Sequence, residues 1–242
     1  MKDPLAFIVI ISALGPIIGS AIGILRRPSF AYICNMLSFA AGVMLAISFL
    51  KLIPEGIHLS SAAVCVGGII LGSLSMYGLD RLIPHIHPEL CTQEHGCNSQ
   101  RTSVYLIQGI FLHNFPEGMA IAGGSVADAE VSVVIALAIA IHNIPEGICT
   151  SAPFYHTTGA RLKSFLVSSS TALPILAGYL FARYLFQNIP LEIIGLIIGA
   201  TAGLMVYITA DELIPASCAG NNHKTIFSLM SGVIFIILLD II

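Results

Sequence analysis

The 242-residue sequence is poor in charge: Asp, Glu, Lys and Arg together make up only 10% of it. A soluble domain carries nearer a quarter, so a water-facing globular surface is excluded. The ten Lys and Arg residues are scattered and the net charge is −3; without a basic face, nucleic acid is excluded as a partner. No Gly-x-x-x-x-Gly-Lys-Ser/Thr stretch occurs, which removes the phosphate-cradling loop and any nucleotide it would hold. No His-Glu-x-x-His stretch occurs either, which removes the helix that activates water on zinc in a metalloprotease; no enzymatic activity is expected. The six cysteines, at positions 34, 65, 91, 97, 149 and 218, follow no secreted disulfide pattern. Cys34, Cys65, Cys149 and Cys218 lie in or beside apolar runs and read as small core residues.

What is abundant is hydrocarbon. Hydrophobic residues make up 56% of the chain and the mean hydropathy is +0.92, beyond an ordinary soluble core. A membrane-crossing helix needs about 20 predominantly apolar residues. Charge-poor windows of that order are Pro4–Leu25, Phe30–Pro54, Ser60–Leu79, Thr102–Val126, Val131–Tyr155, Ser164–Ala182, Ile193–Ala210 and a short one from Thr225 to the C-terminus. Each is longer than a strand and none alternates with period two, so helices are the spanning form. The expectation is an all-α polytopic protein: one transmembrane domain over residues 1–242, eight transmembrane helices, and a polar loop of about 84–101 between the third and fourth. Pro4–Leu25 is long enough to span and lacks a small-residue cleavage site, so it reads as a span and not as a removed signal peptide.

Basic residues set orientation. Arg26, Arg27, Arg81, Arg101, Arg161, Lys163 and Lys224 fall in the 1–2, 3–4, 5–6 and 7–8 loops, against Lys2, Lys51 and Arg183 on the other side. Those four loops are then cytoplasmic and both termini lie outside. Two internal similarities stand out. His113-Asn114-Phe115-Pro116-Glu117-Gly118 matches His142-Asn143-Ile144-Pro145-Glu146-Gly147 in five of six positions, on adjacent and therefore antiparallel helices. Ala41-Gly42-Val43-Met44 through Ile53-Pro54 in the second window matches Ala202-Gly203-Leu204-Met205 through Ile214-Pro215 in the seventh. Inverted repeats around a midplane site mark alternating-access transporters, and a 3+2+3 arrangement is the natural grouping.

The two boxes put histidine, asparagine and glutamate where hydrocarbon belongs. Residues four apart share a helix face, so His113 stands with Glu117 and His142 with Glu146, with Asn114 and Asn143 flanking the same stripes. Two imidazoles and two carboxylates converging between the helices suit zinc or another first-row divalent ion. Pro116 and Pro145 deprive the Leu112 and Ile141 carbonyls of their helical partners, which kinks each helix at the box. Gly118 and Gly147 permit close helix approach; Gly42, Gly67, Gly68, Gly72, Gly199 and Gly203 read as packing positions. A glutamate at the bilayer centre costs at least ~2.5–3.5 kcal/mol, so two of them argue against an idle role. The bland alternative is Glu–His pairs that hold the helices together in a sensor or structural protein without transport; it leaves the paired prolines without a reason.

On these boxes the sequence resembles the ZIP (Zrt/Irt-like) family of divalent metal transporters, whose signatures lie in its fourth and fifth helices. The eight spans, outside termini and His-rich 3–4 loop are similar too. The resemblance implies a transport site built by His113, Asn114, Glu117, His142, Asn143 and Glu146, with Zn2+ as the main substrate, Fe2+, Mn2+ and Cd2+ as further ones, and uptake toward the cytoplasm. Many members carry a glutamate before a proline in helix 6; here Leu173 precedes Pro174, which argues for one principal ion. The resemblance also makes Asp211 and Glu212 an exit-path pair; the alternative is charge capping of a helix end. Glu55 and His58 could attract cations at the outer entrance or be solvated charges. His85, His87, Cys91, His95 and Cys97 in the 3–4 loop form either a metal-catching segment or a polar linker. Short loops and a compact chain point to a prokaryotic inner (plasma) membrane. The oligomeric state is left open, with a homodimer among the options.

Overall fold

The structure is a computed structural model that describes residues 4–25, 29–82, 100–127, 129–186, 190–218, 223–239 and 241. Among those residues every regular element is helical. In chain order they are α1 Pro4–Leu25, α2 Phe30–Ile47, a π-helical turn π1 Ser48–Leu52, α3 Ile53–Leu59, α4 Ala62–Leu82, α5 Gln100–Ala127, α6 Ala129–Thr158, α7 Arg161–Ser169, α8 Ala172–Phe186, α9 Leu191–Ile208, a second π-helical turn π2 Thr209–Leu213, α10 Ile214–Cys218 and α11 His223–Leu239. Six stretches of described helix are long and apolar enough to cross a membrane: Phe7–Leu25, Cys34–Leu59, Ala62–Leu79, Ser132–Ala152, Arg161–Leu185 and Leu191–Leu213, with His223–Leu239 apolar but shorter. The protein is therefore a multi-pass, all-helical membrane protein. Helix α5 has 28 residues, about 42 Å at about 1.5 Å each, so it too is long enough to cross.

The structure departs from the sequence windows at three places, and proline explains each. The second and seventh windows end at Pro54 and Ala210, yet the helices run on to Leu59 and Cys218. In each, a π turn makes the Ile-Pro step harmless. The Ile53 N–H reaches back five residues to the Ser48 carbonyl, and the Ile214 N–H does the same to Thr209. The proline that follows then sits in the first turn of a new helical segment, where no backbone donor is needed. The hydroxyls of Ser48 and Thr209 bond back to the Met44 and Met205 carbonyls at 2.8 and 2.7 Å, so the two turns match in detail. The sixth window is likewise two helices. α7 stops at Ser169, α8 starts at Ala172, and Pro174 lacks the N–H that would continue the ladder to Ser170.

Packing falls into pairs: α1 along α6, α5 along α8, α4 along α9, α2 along α11, with α5 and α6 packed on each other. Glycines make the seams. A Cβ added at Gly147 would lie 2.8 Å from the Ser20 backbone nitrogen, and one at Gly178 would lie 2.9 Å from the Phe115 carbonyl carbon. At Gly232 it would lie 3.0 Å from the Val43 nitrogen. Gly67 is the exception among the positions read as packing glycines: it faces open space, because its side of α4 points away from the bundle. Cys34, Cys65 and Cys149 are buried, as small core residues should be.

The buried middle is aliphatic: Val43, Met44 and Ile47 of α2, Ile135 and Ile139 of α6, Ile194, Ile198 and Met205 of α9 form one cluster. Large exposed side chains such as Phe7, Leu74, Leu166, Leu180 and Phe227 cover the outside. Apolar residues on the outer surface and polar ones within are the reverse of a soluble protein, and they leave the polar boxes of α5 and α6 in the middle of the bundle.

Candidate metal centre

Asn114, Glu117, His142, Asn143 and Glu146 are all between 0% and 1% exposed. The fourfold spacing of each box does what helical periodicity requires, turning these side chains toward the α5–α6 seam. One ligand atom each from Glu117, His142 and Glu146 lie within 4.8 Å of one another, so a small inward shift of the side chains brings all three to ordinary zinc distances from one ion. The His113 side chain lies outside the described residues, so four of the six expected ligands in the boxes meet around Glu117, with Asn114 beside it on the same helix.

The polar contacts decide what this cluster can accept. His142 Nδ1 lies 3.0 Å from the Ala138 carbonyl, one turn back, and Nε2 lies 2.8 Å from Glu117 Oε1. A ring whose Nδ1–H is donated to a backbone carbonyl presents Nε2 as the ligand atom. Nε2 and a carboxylate oxygen are both acceptors, so in the absence of metal a proton must lie between them. The Asn143 side-chain NH2 donates to Glu117 Oε2 at 3.1 Å, and the Asn114 NH2 donates to the Thr171 carbonyl at 2.7 Å. Each amide thus commits an N–H of its NH2 group. Their other ends, Asn114 Oδ1 and Asn143 Oδ1, are buried and have no hydrogen-bond partner. Leaving such an acceptor unpaired costs about 1–3 kcal/mol. Two unpaired carbonyl-type oxygens from the asparagines of the boxes add to two carboxylates and an imidazole nitrogen the kind of donor atoms a cation takes: all hard or borderline, none soft.

Of the remaining sequence candidates, those among the described residues do not join this cluster. Asp211 and Glu212 sit half-buried in π2. Glu55 is half-buried at the other helix end, with its Oε1 3.7 Å from Nδ1 of the exposed His58. His85, His87, Cys91, His95 and Cys97 lie outside the described residues. Leu173, where the resemblance would put a carboxylate, is 60% exposed and points away. Two contributors have no mark of their own in the sequence, the Ala138 and Thr171 backbone carbonyls. The Ser170-Thr171 pair ahead of Pro174 was the signal available for the second, since it announces a helix break.

The family model described as ZIP Zinc transporter matches residues 85–240. The chain is 36% identical over 241 residues to the zinc transporter ZupT of Escherichia coli (strain K12 / DH10B), covering 96% of this chain and 93% of that relative. The same figures hold for the zinc transporter ZupT of Salmonella newport (strain SL254). With the duplicated box brought together at a buried, cation-ready centre and the likeness running the length of the sequence, the chain belongs to the ZIP zinc transporter family.

Proposed function

We propose that the protein carries divalent metal ions, zinc foremost, across the membrane toward the cytoplasm, and that His113, Asn114, Glu117, His142, Asn143 and Glu146 form its transport site. The observation that carries the reading is the convergence of Glu117, His142 and Glu146 at a dry point flanked by two unpaired amide oxygens. A structural cluster would close its own hydrogen bonds; this one leaves acceptors over. Iron, manganese and cadmium share enough ligand preference to compete. Asp211 and Glu212 are proposed as an exit step, Glu55 and His58 as an entrance, and the His/Cys loop around residues 85–97 as a cytoplasmic catch.

The arrangement we favour is one transmembrane domain of eight helices in a 3+2+3 inverted repeat, with both termini outside, in an inner membrane. The helix pairing supports it. Exchanging the first three spans with the last three, and α5 with α6, turns the α1–α6 seam into the α8–α5 seam and the α4–α9 seam into the α11–α2 seam. The matched π turns obey the same exchange. Packing also divides the helices into two groups: α1, α5, α6, α7 and α8 in one, α2, α3, α4, α9, α10 and α11 in the other. The close glycine approaches lie within a group, while aliphatic side chains of α2 and α6 meet between them. Alternating access is then a movement of the first group, carrying the site, past the second. Two copies of the chain would make a homodimer through the outer apolar faces.

Metal must displace the proton held between His142 and Glu117, so zinc binding should release at least one proton per ion and weaken in acid. One displaced proton limits the slope to about tenfold per pH unit. Zinc titration calorimetry in two buffers of different ionisation heat is expected to show that release, with affinity at least about tenfold lower near pH 5.5 than near pH 7.5. A pH-independent affinity with no proton release would contradict the proposed ligand set.

A further inference from the structure

We infer that the break between α7 and α8 is a positioning device for the metal centre: the Thr171 carbonyl, presented at the break, captures the Asn114 NH2 and leaves Asn114 Oδ1 as the only atom of that amide able to face an ion. The inference rests on the metal-site reading above and adds Thr171 and Pro174 to it as positioning residues.

The break is built from three hydrogen bonds and a proline. The Thr171 N–H donates to the Ser168 carbonyl at 3.1 Å, and the Leu173 N–H donates to the Ser170 carbonyl at 3.0 Å. Both are three-residue steps, tighter than an α-helix. Pro174 cannot offer the N–H that would reach Ser170 in the α-helical pattern, which keeps the turn from relaxing. The Thr171 hydroxyl then donates to the same Ser168 carbonyl at 2.8 Å and pins the residue. Behind the turn, α7 is locked in place. The Ser168 hydroxyl lies 2.6 Å from that of Ser20 on α1, meets the Thr150 hydroxyl on α6, and faces the Gly147 carbonyl at 3.3 Å. Gly147 closes the second box, so the frame that fixes Thr171 is tied to the same helix that carries His142 and Glu146.

An amide side chain can turn either end toward a cation, and only the oxygen can bind one. For Asn143 the choice is made inside the site, by Glu117 Oε2. For Asn114 it is made from outside, by a carbonyl at 2.7 Å with no titrating group involved. An ordinary helix-to-helix hydrogen bond would account for the NH2 contact alone. It does not account for the other end of the same fully buried amide, which is left without a partner. Pre-orientation accounts for both: the ion does not have to rotate the amide before it can be bound. Thr171 and Pro174 thus hold the amide nitrogen and leave a neutral oxygen over for an ion, from the segment where Leu173 offers no carboxylate.

The test is a double-mutant cycle on metal affinity in the full-length protein, with zinc read by competition against a chelating dye and cobalt by its visible absorption. Asn114→Ala and Pro174→Ala are each expected to weaken binding about three- to tenfold and to change the cobalt bands alike. Pro174→Ala should cost less than about twofold once Asn114 is already alanine, since coupled sites are not additive. Thr171→Val keeps the carbonyl and the volume but removes the pin, and should weaken binding in the same direction by a smaller factor. If Pro174→Ala and Thr171→Val both bind as wild type does, or if the Asn114 and Pro174 effects add in full, the inference is overturned. A wild type that takes up no cobalt sinks the metal-site reading itself, and this inference with it.

Discussion

Glu117→Ala is expected to lower zinc affinity on the order of 100-fold or more, and Glu117→Gln nearly as much. Loss of a group that only supports a ligand costs about 10–100-fold. Glu117 does more: it touches His142 through one oxygen and Asn143 through the other, and it contributes one of the three atoms within 4.8 Å. Alanine removes a ligand, the proton acceptor of His142 and the anchor of the Asn143 amide together. Glutamine separates charge from shape, since it keeps the volume and two hydrogen-bonding ends but cannot neutralise a divalent ion. Equilibrium dialysis with zinc, on protein first shown to be monodisperse by size exclusion, reads the effect. A Glu117→Gln variant that binds zinc within a few-fold of wild type would mean that the carboxylate charge is not needed there.

The second large effect is expected at a residue with no chemistry. Gly15, Gly19 and Gly23 recur every four residues along α1 and face α6. A Cβ at Gly19 would lie 2.9 Å from the Gly147 Cα and closer still to the Ile144 carbonyl oxygen. Both are backbone atoms of the second box, so no side chain can swing aside, and the helices themselves must part. Overpacking a core by a methylene costs about 1–3 kcal/mol; backbone pressed on backbone belongs at or above the top of that range. Gly19→Leu should therefore fail to give a monodisperse membrane protein. The milder Gly19→Ala should fold with reduced thermal stability and bind zinc more weakly, because the displaced segment carries His142 and Glu146. Gly67→Leu is the control: nothing lies within 4 Å of its Cβ position, and it should behave as wild type. Detergent thermal-shift curves distinguish the three, and equal melting of Gly19→Leu and Gly67→Leu would contradict the packing described for α1 and α6.

These two residues also mark what the sequence discloses and what it hides. Glu117 is legible because a carboxylate, an imidazole and an amide inside an apolar run are costly, and the run repeats them 29 residues on. Helical spacing then predicts the shared face that the structure displays for His142 and Glu146. The α1 glycines carried a readable spacing too, the small-residue pattern of packed membrane helices. It passes unnoticed beside the boxes because glycine is common throughout the chain, 22 residues in all. Gly67 shows the opposite failure: its spacing suits packing, but which side of α4 faces the bundle depends on neighbours that spacing does not name. The π turns are hidden for a related reason. Proline normally ends a helix, and only the three-dimensional hydrogen bonds to Ser48 and Thr209 show that Pro54 and Pro215 do not. Backbone anchors, the Ala138 and Thr171 carbonyls, are invisible in principle, since every residue has one.

The most direct test of the account is uptake of radioactive zinc into proteoliposomes holding a chelator, with wild type and His142→Ala prepared side by side. His142 is suited to it because its Nε2 faces Glu117 while its Nδ1 is tied to Ala138 on its own helix, so alanine removes the proposed nitrogen ligand. The account predicts time-dependent zinc uptake by wild type and uptake at the level of empty liposomes for the folded variant. Zinc transport by His142→Ala at the wild-type rate would contradict it, and so would a wild type that binds zinc but moves none.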